Sequence, residues 1–212
     1  LMQEFGTAEG LLSFTSPDDD VAVIARCQGT PVSPADEVKI VDERDEEVPT
    51  GVFGELLSRG PYTIDGYYMA EEANRTSFTE DGFYRTGDKA MWMENGRLRM
   101  GGRIKEQINR AGEKIMPSEV EGYLCQHPNI KEAAVVGVPD EVLGNRICAY
   151  VMLEVEKQVD LREIHRFLKS IGVAFYKLPD QVESIDFWPL TSVGKLDTKV
   201  LVERATKKER EI

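Results

Sequence analysis

The chain has 212 residues, of which 41% are hydrophobic and 30% charged, a composition that predicts one or two globular cores. Its 26 Lys and Arg against 38 Asp and Glu give a formal net charge of −12, which argues against a nucleic-acid partner and against binding to an anionic membrane surface. No apolar run approaches the roughly 20 residues that span a bilayer, and no signal-like segment opens the chain, so we expect a cytoplasmic protein without a membrane partner.

The cysteines are Cys27, Cys125 and Cys148. Because their number is odd and no Cys-x-x-Cys pair is present, neither a disulfide framework nor a zinc site is indicated, and we expect three reduced core residues. The chain begins at Leu1 within what reads as ordered sequence. We therefore expect it to be part of a longer protein.

The first half of the chain is rich in β-strand signals. Runs at 38–41 (VKIV) and 52–57 (VFGELL) predict antiparallel strands, joined by an acidic segment whose charges predict a solvated turn. A short helix is predicted within 69–78 (MAEEANRTSF). The Asn95-Gly96 pair, flanked by alternating apolar residues, predicts a β-hairpin.

The pattern changes to alternating helices and strands beyond Gly101-Gly102. Pro117 is typical of the first turn of a helix, and Ser118 stands three residues before Glu121, the spacing of a capping box. We therefore expect a helix to begin there.

Strands are predicted at 132–138 (EAAVVGV) and 146–153 (RICAYVML), a helix at 160–172, and a last strand within 181–188 (QVESIDFW). The helix carries an apolar stripe ended by a glycine: Leu161, Ile164, Phe167, Leu168 and Ile171. The resulting order of hairpin, α, β, β, α, β predicts a small α+β domain.

Lys195 lies in a small polar loop, PLTSVGK, close to the C-terminus. Gly194-Lys195 resembles the end of a Walker phosphate loop, but Pro189 stands where the first glycine should be and Leu196 replaces the Ser/Thr that would hold magnesium. Taken alone, the lysine is interpreted as a solvated surface charge.

Two acidic residues have both a structural and a chemical interpretation. Asp88, in YRTGD, is typical of a turn cap, but its carboxylate could also accept from both hydroxyls of a ribose diol. In QEFGTAEG, Phe5 could stack on a base, Gly6 could let the backbone approach a ligand, and Glu9 could bind Mg²⁺. The alternative for the second segment is a core phenylalanine beside a turn.

The order and spacing of five motifs resemble the C-terminal part of the acyl- and aryl-adenylating superfamily, which includes acyl-CoA synthetases, firefly luciferase and adenylation domains of nonribosomal peptide synthetases. The motifs are FGTAEG, GELLSRGPYTIDGYY, FYRTGD, GGRIKEQINRAGEKI and PLTSVGK. Within the superfamily the chain most resembles the 2,3-dihydroxybenzoate-AMP ligases of siderophore synthesis, on the segments FGTAEG, SRGPYTI, SFTEDGFYRTGD and QINRAGEK. Alanine also stands at position 8, as in the aryl-acid branch, where most relatives have threonine. The resemblance implies an α+β fold, with residues 1–104 as the β-rich distal part of a large adenylation domain and 105–212 as a small mobile domain.

The resemblance also assigns roles to residues. Its ATP-binding residues are Glu4, Phe5, Gly6, Asp88 and Arg103, with Phe5 stacking on adenine and Asp88 holding the ribose. Glu9 would hold Mg²⁺, Ala8 and Leu12 would contact the aromatic ring of the substrate, and Lys105 would be the hinge between the domains. Gly112 would border a tunnel for a phosphopantetheine arm, and Lys195 would be the catalytic and substrate-binding lysine.

The implied reaction uses ATP and Mg²⁺ to convert an aryl acid to aryl-AMP, and then transfers the aryl group to the phosphopantetheine thiol of an aryl carrier protein. The resemblance implies 2,3-dihydroxybenzoate or salicylate as the acid. Leu12 stands where dihydroxybenzoate enzymes have valine, so the choice between the two acids stays open. A homodimer is a further expectation. The Ser/Thr/Gly-rich phosphate loop of the superfamily is not found in these residues. Two alternatives stay open: a non-catalytic module that binds a carrier protein, and an acyl-CoA ligase of the same superfamily.

Overall fold

A computed structural model of the chain describes residues 1–209, and side chains as far as Lys207. The fold is α+β, as predicted, and it divides into two compact units, Leu1–Lys105 and a second that begins at Glu106. The boundary predicted between residues 104 and 105 lies one residue earlier. The Gly101-Gly102 pair, where the sequence pattern changes, lies inside the last strand of the first unit.

The first unit contains a three-stranded and a four-stranded antiparallel sheet, in the orders β1-β2-β3 and β4-β5-β6-β7. Its strands are β1 (Glu4–Gly6), β2 (Leu12–Phe14), β3 (Thr30–Pro31), β4 (Glu37–Val41), β5 (Gly54–Arg59), β6 (Tyr84–Trp92) and β7 (Leu98–Arg103). Its helices are α1 (Val21–Ile24) and α2 (Glu71–Ser77). The two predicted antiparallel strands and the short helix are confirmed, with the second strand beginning at Gly54 and the helix at Glu71.

The hairpin predicted at Asn95-Gly96 joins β6 to β7. Met93 N donates to Arg97 O (2.8 Å) and Gly96 N donates to Met93 O (2.9 Å), so the turn is a five-residue loop. Gly96 has a φ of 72°, a conformation that favours glycine and explains why the residue stands there.

The second unit surrounds a three-stranded sheet in the order β10-β11-β12, in which β10 and β11 are antiparallel and β11 and β12 parallel. A 3₁₀ turn, Ile104–Glu106, spans the division between the units. The elements that follow are β8 (Ile108–Arg110), β9 (Glu113–Ile115), α3 (Pro117–Leu124), β10 (Ile130–Asp140), β11 (Gly144–Leu153), α4 (Leu161–Ser170), a 3₁₀ turn (Phe175–Lys177), β12 (Gln181–Ser184) and α5 (Thr198–Glu209). The predicted order is confirmed, with α5 as an additional element.

Both faces of this sheet are buried. Alternate strand residues, such as Val135 and Ala134, face opposite sides, as the two-residue period of a strand requires. One face packs against α3 and α4, whose core residues are Val120, Leu124, Ile164 and Leu168, and the other packs against Leu201 and Ala205 of α5. The sheet is therefore the rigid base for the loops of the second unit.

Some details differ from expectation. Ile171, predicted as the end of the apolar stripe of α4, lies past the helix and is 40% exposed. Cys27 and Cys148 are buried as expected, but Cys125, which directly follows α3, is exposed. In the part of the chain that the structure describes, no helix has the length and apolar character to cross a membrane.

The predicted capping box is wrong. The residue that precedes α3 is Met116, which makes no side-chain cap hydrogen bond, so Ser118 lies inside the first turn. The Glu121 carboxylate instead accepts from Val135 N (2.8 Å) on β10, the edge strand of the sheet. The carboxylate therefore satisfies a backbone N–H at the edge of the sheet, and this hydrogen bond stabilises the packing of α3 on the sheet.

Glu121 makes the stability of this unit depend on pH. Burial raises the pKa of Glu121 above its usual range, the Val135 hydrogen bond opposes this, and the Glu106 charge adds to it. Because the folded state holds the proton at a higher pH than the unfolded chain, this contribution to stability is present at acidic pH and is lost as pH rises through the raised pKa. We expect Glu121→Gln, whose amide oxygen still accepts from Val135, to increase the free energy of unfolding at pH 7 but not below about pH 4.

Urea unfolding of wild type and variant at both pH values measures the difference. Glu203→Gln, on the exposed surface of α5, is the matched control and should change neither value. A Glu121→Gln variant that is less stable than wild type at pH 7 would show that the charge stabilises the fold.

Candidate functional site

Glu9 lies in the tight turn that joins β1 to β2. Thr7 N donates to Leu11 O (2.9 Å) to close the turn, and Ile64 N donates to Glu9 O (2.9 Å). A Cβ on Gly10 would lie 2.5 Å from the Thr63 Cα, so only glycine permits this close approach of the two segments. The turn therefore packs against the loop around residues 63–64, and this contact fixes the position of the Glu9 backbone.

The Glu9 carboxylate is held by a tyrosine far along the chain. Tyr67 Oη donates to Glu9 Oε1 (2.8 Å) and lies 3.3 Å from Tyr84 Oη. Burial raises the pKa of Tyr84, and the Tyr67 hydrogen bond and the Glu9 charge add to this shift. The hydrogen bond with Tyr84 lowers the pKa of Tyr67, but burial and the Glu9 carboxylate outweigh it, so its net shift is upward. Both phenols therefore stay protonated donors at neutral pH.

A single carboxylate such as that of Glu9 fits a magnesium ion that is held jointly with phosphates. Within residues 1–209 no group of three or more His, Cys, Asp or Glu side chains is placed to hold a metal. Mg²⁺ commonly binds one or two carboxylates and completes its octahedron with substrate phosphates and water. The hydrogen bond from Tyr67 uses Oε1 and leaves Oε2 of Glu9 outside that contact.

The other predicted residues of this segment lie on β1, in the turn and on β2. In β1 the side chains alternate, so Phe5 is half-buried against the core that contains Leu11 and Leu56, whereas Glu4 and Gly6 are exposed. The packing interpretation of Phe5 therefore holds for at least part of its ring. Ala8 is exposed in the turn. Leu12 is half-buried and pairs with Gly6 across the two strands, and a Cβ added to Gly6 would lie 2.9 Å from Leu12 Cδ1.

Asp88 ends a bulge in β6. Arg85 stands opposite Leu57 and Lys89 opposite Glu55, so Thr86, Gly87 and Asp88 together face the single residue Leu56. Gly87 has a φ of 69°, which allows the chain to turn within the strand. Thr86 Oγ1 donates to Leu56 O (2.9 Å) and accepts from Asp88 N (3.0 Å), so the threonine holds both sides of the bulge.

Arg103 is placed against Asp88 by a second bulge, in β7. Lys89 stands opposite Gly102 and Ala90 opposite Met100, which leaves Gly101 as the extra residue and sets Asp88 directly opposite Arg103. Arg103 Nε lies 2.9 Å from Asp88 Oδ1, and Arg103 Nη1 donates to Thr86 O (3.3 Å). The Asp88 side chain is 6% exposed and that of Arg103 48% exposed. The buried carboxylate is thus paired with a half-exposed arginine, a contact that a simple turn cap would not require.

Lys105 is exposed in the 3₁₀ turn Ile104–Glu106, at the end of the first unit.

Gly112 lies in the second unit, in the turn between β8 and β9, with a φ of 89° after Ala111 at 52°. Its N–H donates to Asn109 Oδ1 (3.2 Å), and no atom lies within 4 Å of an ideal Cβ. Space is therefore open at Gly112, but its backbone conformation favours glycine.

Lys195 is presented on a closed hairpin, which makes its backbone more constrained than a flexible loop. Thr191 N donates to Lys195 O (2.7 Å), Lys195 N donates to Thr191 Oγ1 (3.1 Å), and Gly194, with a φ of 78°, donates to Thr191 O (2.9 Å). Leu196, next in the chain, packs against the core beneath α5. The Lys195 side chain is exposed, so a fixed base carries a mobile ammonium group.

Family models match both units of the chain. The model of the AMP-binding enzyme matches residues 1–68, and the model of the AMP-binding enzyme C-terminal domain matches residues 119–195. The chain belongs to the AMP-binding enzymes. This confirms the resemblance that its motifs indicated.

Among these AMP-binding enzymes, the 2,3-dihydroxybenzoate-AMP ligase of Bacillus subtilis (strain 168) is 47% identical over 208 residues, covering 98% of this chain and 38% of that protein. A salicylyl-CoA synthase / salicylate adenylyltransferase of a Streptomyces species is 46% identical over 201 residues, 95% of this chain and 36% of that protein. The crystal structure of ATP-bound MatB from Rhodopseudomonas palustris superposes with a TM-score of 0.86 at 27% identity, over 96% of this chain and 40% of that one. This chain spans less than half the length of each.

The structure of this chain brings some of the predicted residues together and adds others. Asp88 contacts Arg103, and Gly6 lies opposite Leu12, whereas Gly112 and Lys195 belong to the second unit. Sequence reasoning missed three side chains that hold the predicted ones in place: Tyr67, Tyr84 and Thr86. All three lie within motifs that carried the resemblance, GPYTIDGYY and FYRTGD, and this was the available signal.

Proposed function

We propose that this chain is the C-terminal part of an enzyme that activates an aryl acid with ATP. The acid would be converted to aryl-AMP with release of pyrophosphate, and the aryl group would pass to the phosphopantetheine thiol of an aryl carrier protein in siderophore synthesis, in the cytoplasm. The observation that carries the proposal is the ion pair between Asp88 and Arg103, formed where two bulges meet. A carboxylate held by an arginine in this way stays ionised and can accept hydrogen bonds from the hydroxyls of a ribose diol.

The proposed nucleotide contacts are those that the family resemblance implies. Asp88 binds the ribose and Arg103 holds the Asp88 carboxylate in place. Phe5 stacks on adenine with the part of its ring that does not pack on the core, and Glu4 and Gly6 form the edge of this subsite. Ala8 and Leu12, exposed and half-buried beside Glu9, contact the aryl ring.

Glu9 is the proposed magnesium ligand. A bound Mg²⁺ would offset the negative charge of the ATP phosphates as the carboxylate of the substrate approaches. Within this chain the contribution of Glu9 is a fixed carboxylate oxygen, because the turn, Ile64 and Tyr67 hold its position. This arrangement matches the ligand preference of Mg²⁺ for oxygen.

Lys195 supplies positive charge in the adenylation step. Attack of the aryl carboxylate on the α-phosphate concentrates negative charge on the phosphoryl oxygens, and a lysine ammonium brought there stabilises the transition state. Its hairpin fixes the backbone and leaves the long side chain free to reach. We propose that the small domain predicted at residues 105–212 moves about a hinge at Lys105 to deliver this charge and then to present Gly112 beside the pantetheine arm.

The test is ATP–pyrophosphate exchange in the complete protein that contains this chain, with a panel of aryl acids. We expect exchange to depend on 2,3-dihydroxybenzoate or salicylate and to be weak with benzoate, which lacks the ring hydroxyls. Thioester formation is then compared with an aryl carrier protein and with coenzyme A as acceptor. Transfer to coenzyme A alone would favour an acyl-CoA ligase, and a lack of exchange with every acid would favour a carrier-binding module.

A further inference from the structure

Glu9 is connected by hydrogen bonds to two tyrosines that sequence reasoning did not assign. A phenol has one hydroxyl proton to donate, and an ionised carboxylate only accepts hydrogen bonds. Since Tyr67 donates to Glu9 Oε1 at 2.8 Å, the contact of 3.3 Å between the two hydroxyls must use the Tyr84 proton. The chain of hydrogen bonds therefore runs from Tyr84 through Tyr67 to Glu9, and each bond strengthens the next.

Tyr67 is itself held by a neighbouring helix. Asn74, in α2, accepts from Tyr67 N through Oδ1 (2.7 Å) and donates to Tyr67 O through Nδ2 (2.9 Å). Gly66 leaves room for this amide, because a Cβ there would lie 3.2 Å from the Asn74 side chain. The two hydrogen bonds with Asn74 hold both the N–H and the C=O of Tyr67, so the backbone position that carries the ring is fixed.

The rings complete the support. Phe78, which follows α2, packs edge-on against Tyr67 with centroids 6.2 Å apart and lies 5.4 Å from the Tyr84 ring. Tyr84 is 7% exposed, so its hydroxyl has little access to water. These contacts restrict the Tyr67 hydroxyl to the position from which it donates to Glu9.

We infer that Tyr67 is a positioning residue that orients the Glu9 carboxylate for Mg²⁺, and that Asn74 and Tyr84 hold Tyr67 in place. The inference rests on the proposed role of Glu9 as a magnesium ligand. A hydrogen bond to one carboxylate oxygen restricts the torsion of the side chain and so limits the positions that the other oxygen can take. Partners of this kind typically contribute 10- to 100-fold in metal affinity.

The decisive variant is Tyr67→Phe, which removes one hydroxyl and keeps the ring against Phe78. Binding of Mn²⁺, as a spectroscopic substitute for Mg²⁺, is measured by electron paramagnetic resonance in the complete protein with ATP and without aryl acid. We expect the Mn²⁺ dissociation constant to rise by about 10- to 100-fold. In exchange assays the Mg²⁺ requirement should rise in parallel, while kcat at saturating Mg²⁺ changes little.

Tyr62→Phe is the matched control, because Tyr62 belongs to the same loop but donates to Asp36 at the surface (2.6 Å). It should leave Mn²⁺ binding unchanged. Glu9→Gln in the same titration separates the hypothesis that Glu9 binds the metal from the hypothesis that Tyr67 positions Glu9. If Glu9→Gln weakens Mn²⁺ binding and Tyr67→Phe does not, the positioning role is wrong while the proposed ligand stands; if Glu9→Gln has no effect, both are wrong. A fall in kcat for Tyr67→Phe with unchanged Mn²⁺ binding would also contradict positioning.

Discussion

Lys195→Ala in the complete protein is expected to slow formation of the aryl-adenylate by roughly 10²–10³-fold, the usual loss for one preorganised electrostatic contact. The hairpin of Lys195 is held by its own backbone hydrogen bonds and by Leu196, none of which involves the lysine ammonium. The substitution should therefore remove the charge without disturbing the fold. Transfer of the aryl group from preformed aryl-adenylate to the carrier protein should continue at nearly the wild-type rate.

Single-turnover assays of each step measure the two rates separately. Lys199→Ala is the matched control, because it removes an exposed lysine from the nearby helix α5 and should affect neither step. If Lys195→Ala slows both steps equally, the lysine supports the fold or binds the ground state of the substrate. The proposed alternation of the second unit would then be wrong.

The opposite defect is expected at Gly112. A bulky residue there should leave adenylation intact and block thioester formation, because no atom lies within 4 Å of the Cβ position and the new side chain would occupy the proposed tunnel. Gly112 has a φ of 89°, so any substitution strains the turn. Gly112→Ala shares that strain without the bulk and is compared with Gly112→Trp. Equal losses of transfer in both variants would indicate strain and contradict the tunnel.

Asp88→Ala in the complete protein is expected to lower kcat/KM for ATP by roughly 30- to 900-fold, which corresponds to about 2–4 kcal/mol for two charge-assisted hydrogen bonds to a ribose. The Asp88 carboxylate is buried and paired with Arg103, so it is already oriented before nucleotide binds. Its removal leaves the Arg103 guanidinium, which is about half exposed and can be solvated. We therefore expect the loss to fall mainly on ATP binding.

Steady-state kinetics with varied ATP, together with the melting temperature, separates binding from folding. Glu37→Ala is the matched control, because it removes an exposed carboxylate paired with Arg59 (2.7 Å) in the same sheet. It should leave ATP kinetics unchanged. A kcat/KM for ATP that is unaffected by Asp88→Ala would leave the Asp88–Arg103 pair with a structural role alone.

The sequence by itself determined the elements with a clear local pattern and their order, but it did not predict β1–β3, α1 or α5. The β-rich runs that became β4 and β5, the Asn95-Gly96 hairpin and the apolar stripe of α4 depend on residues close together in the chain, so their pattern is visible before folding. The motifs that carry the family resemblance are equally local. They identified Asp88, Glu9 and Lys195 as candidates without showing what surrounds them.

The tertiary structure alone decided which donors meet which acceptors. Tyr67 reaches Glu9 across 58 residues, and Arg103 faces Asp88 because bulges shift the register of two strand pairs. In the same way Glu121 binds the edge of β10 instead of capping α3. The physical reason is that a side chain satisfies whichever buried polar group packing brings within about 3 Å, and that proximity depends on sheet register and loop seating, which no local pattern encodes.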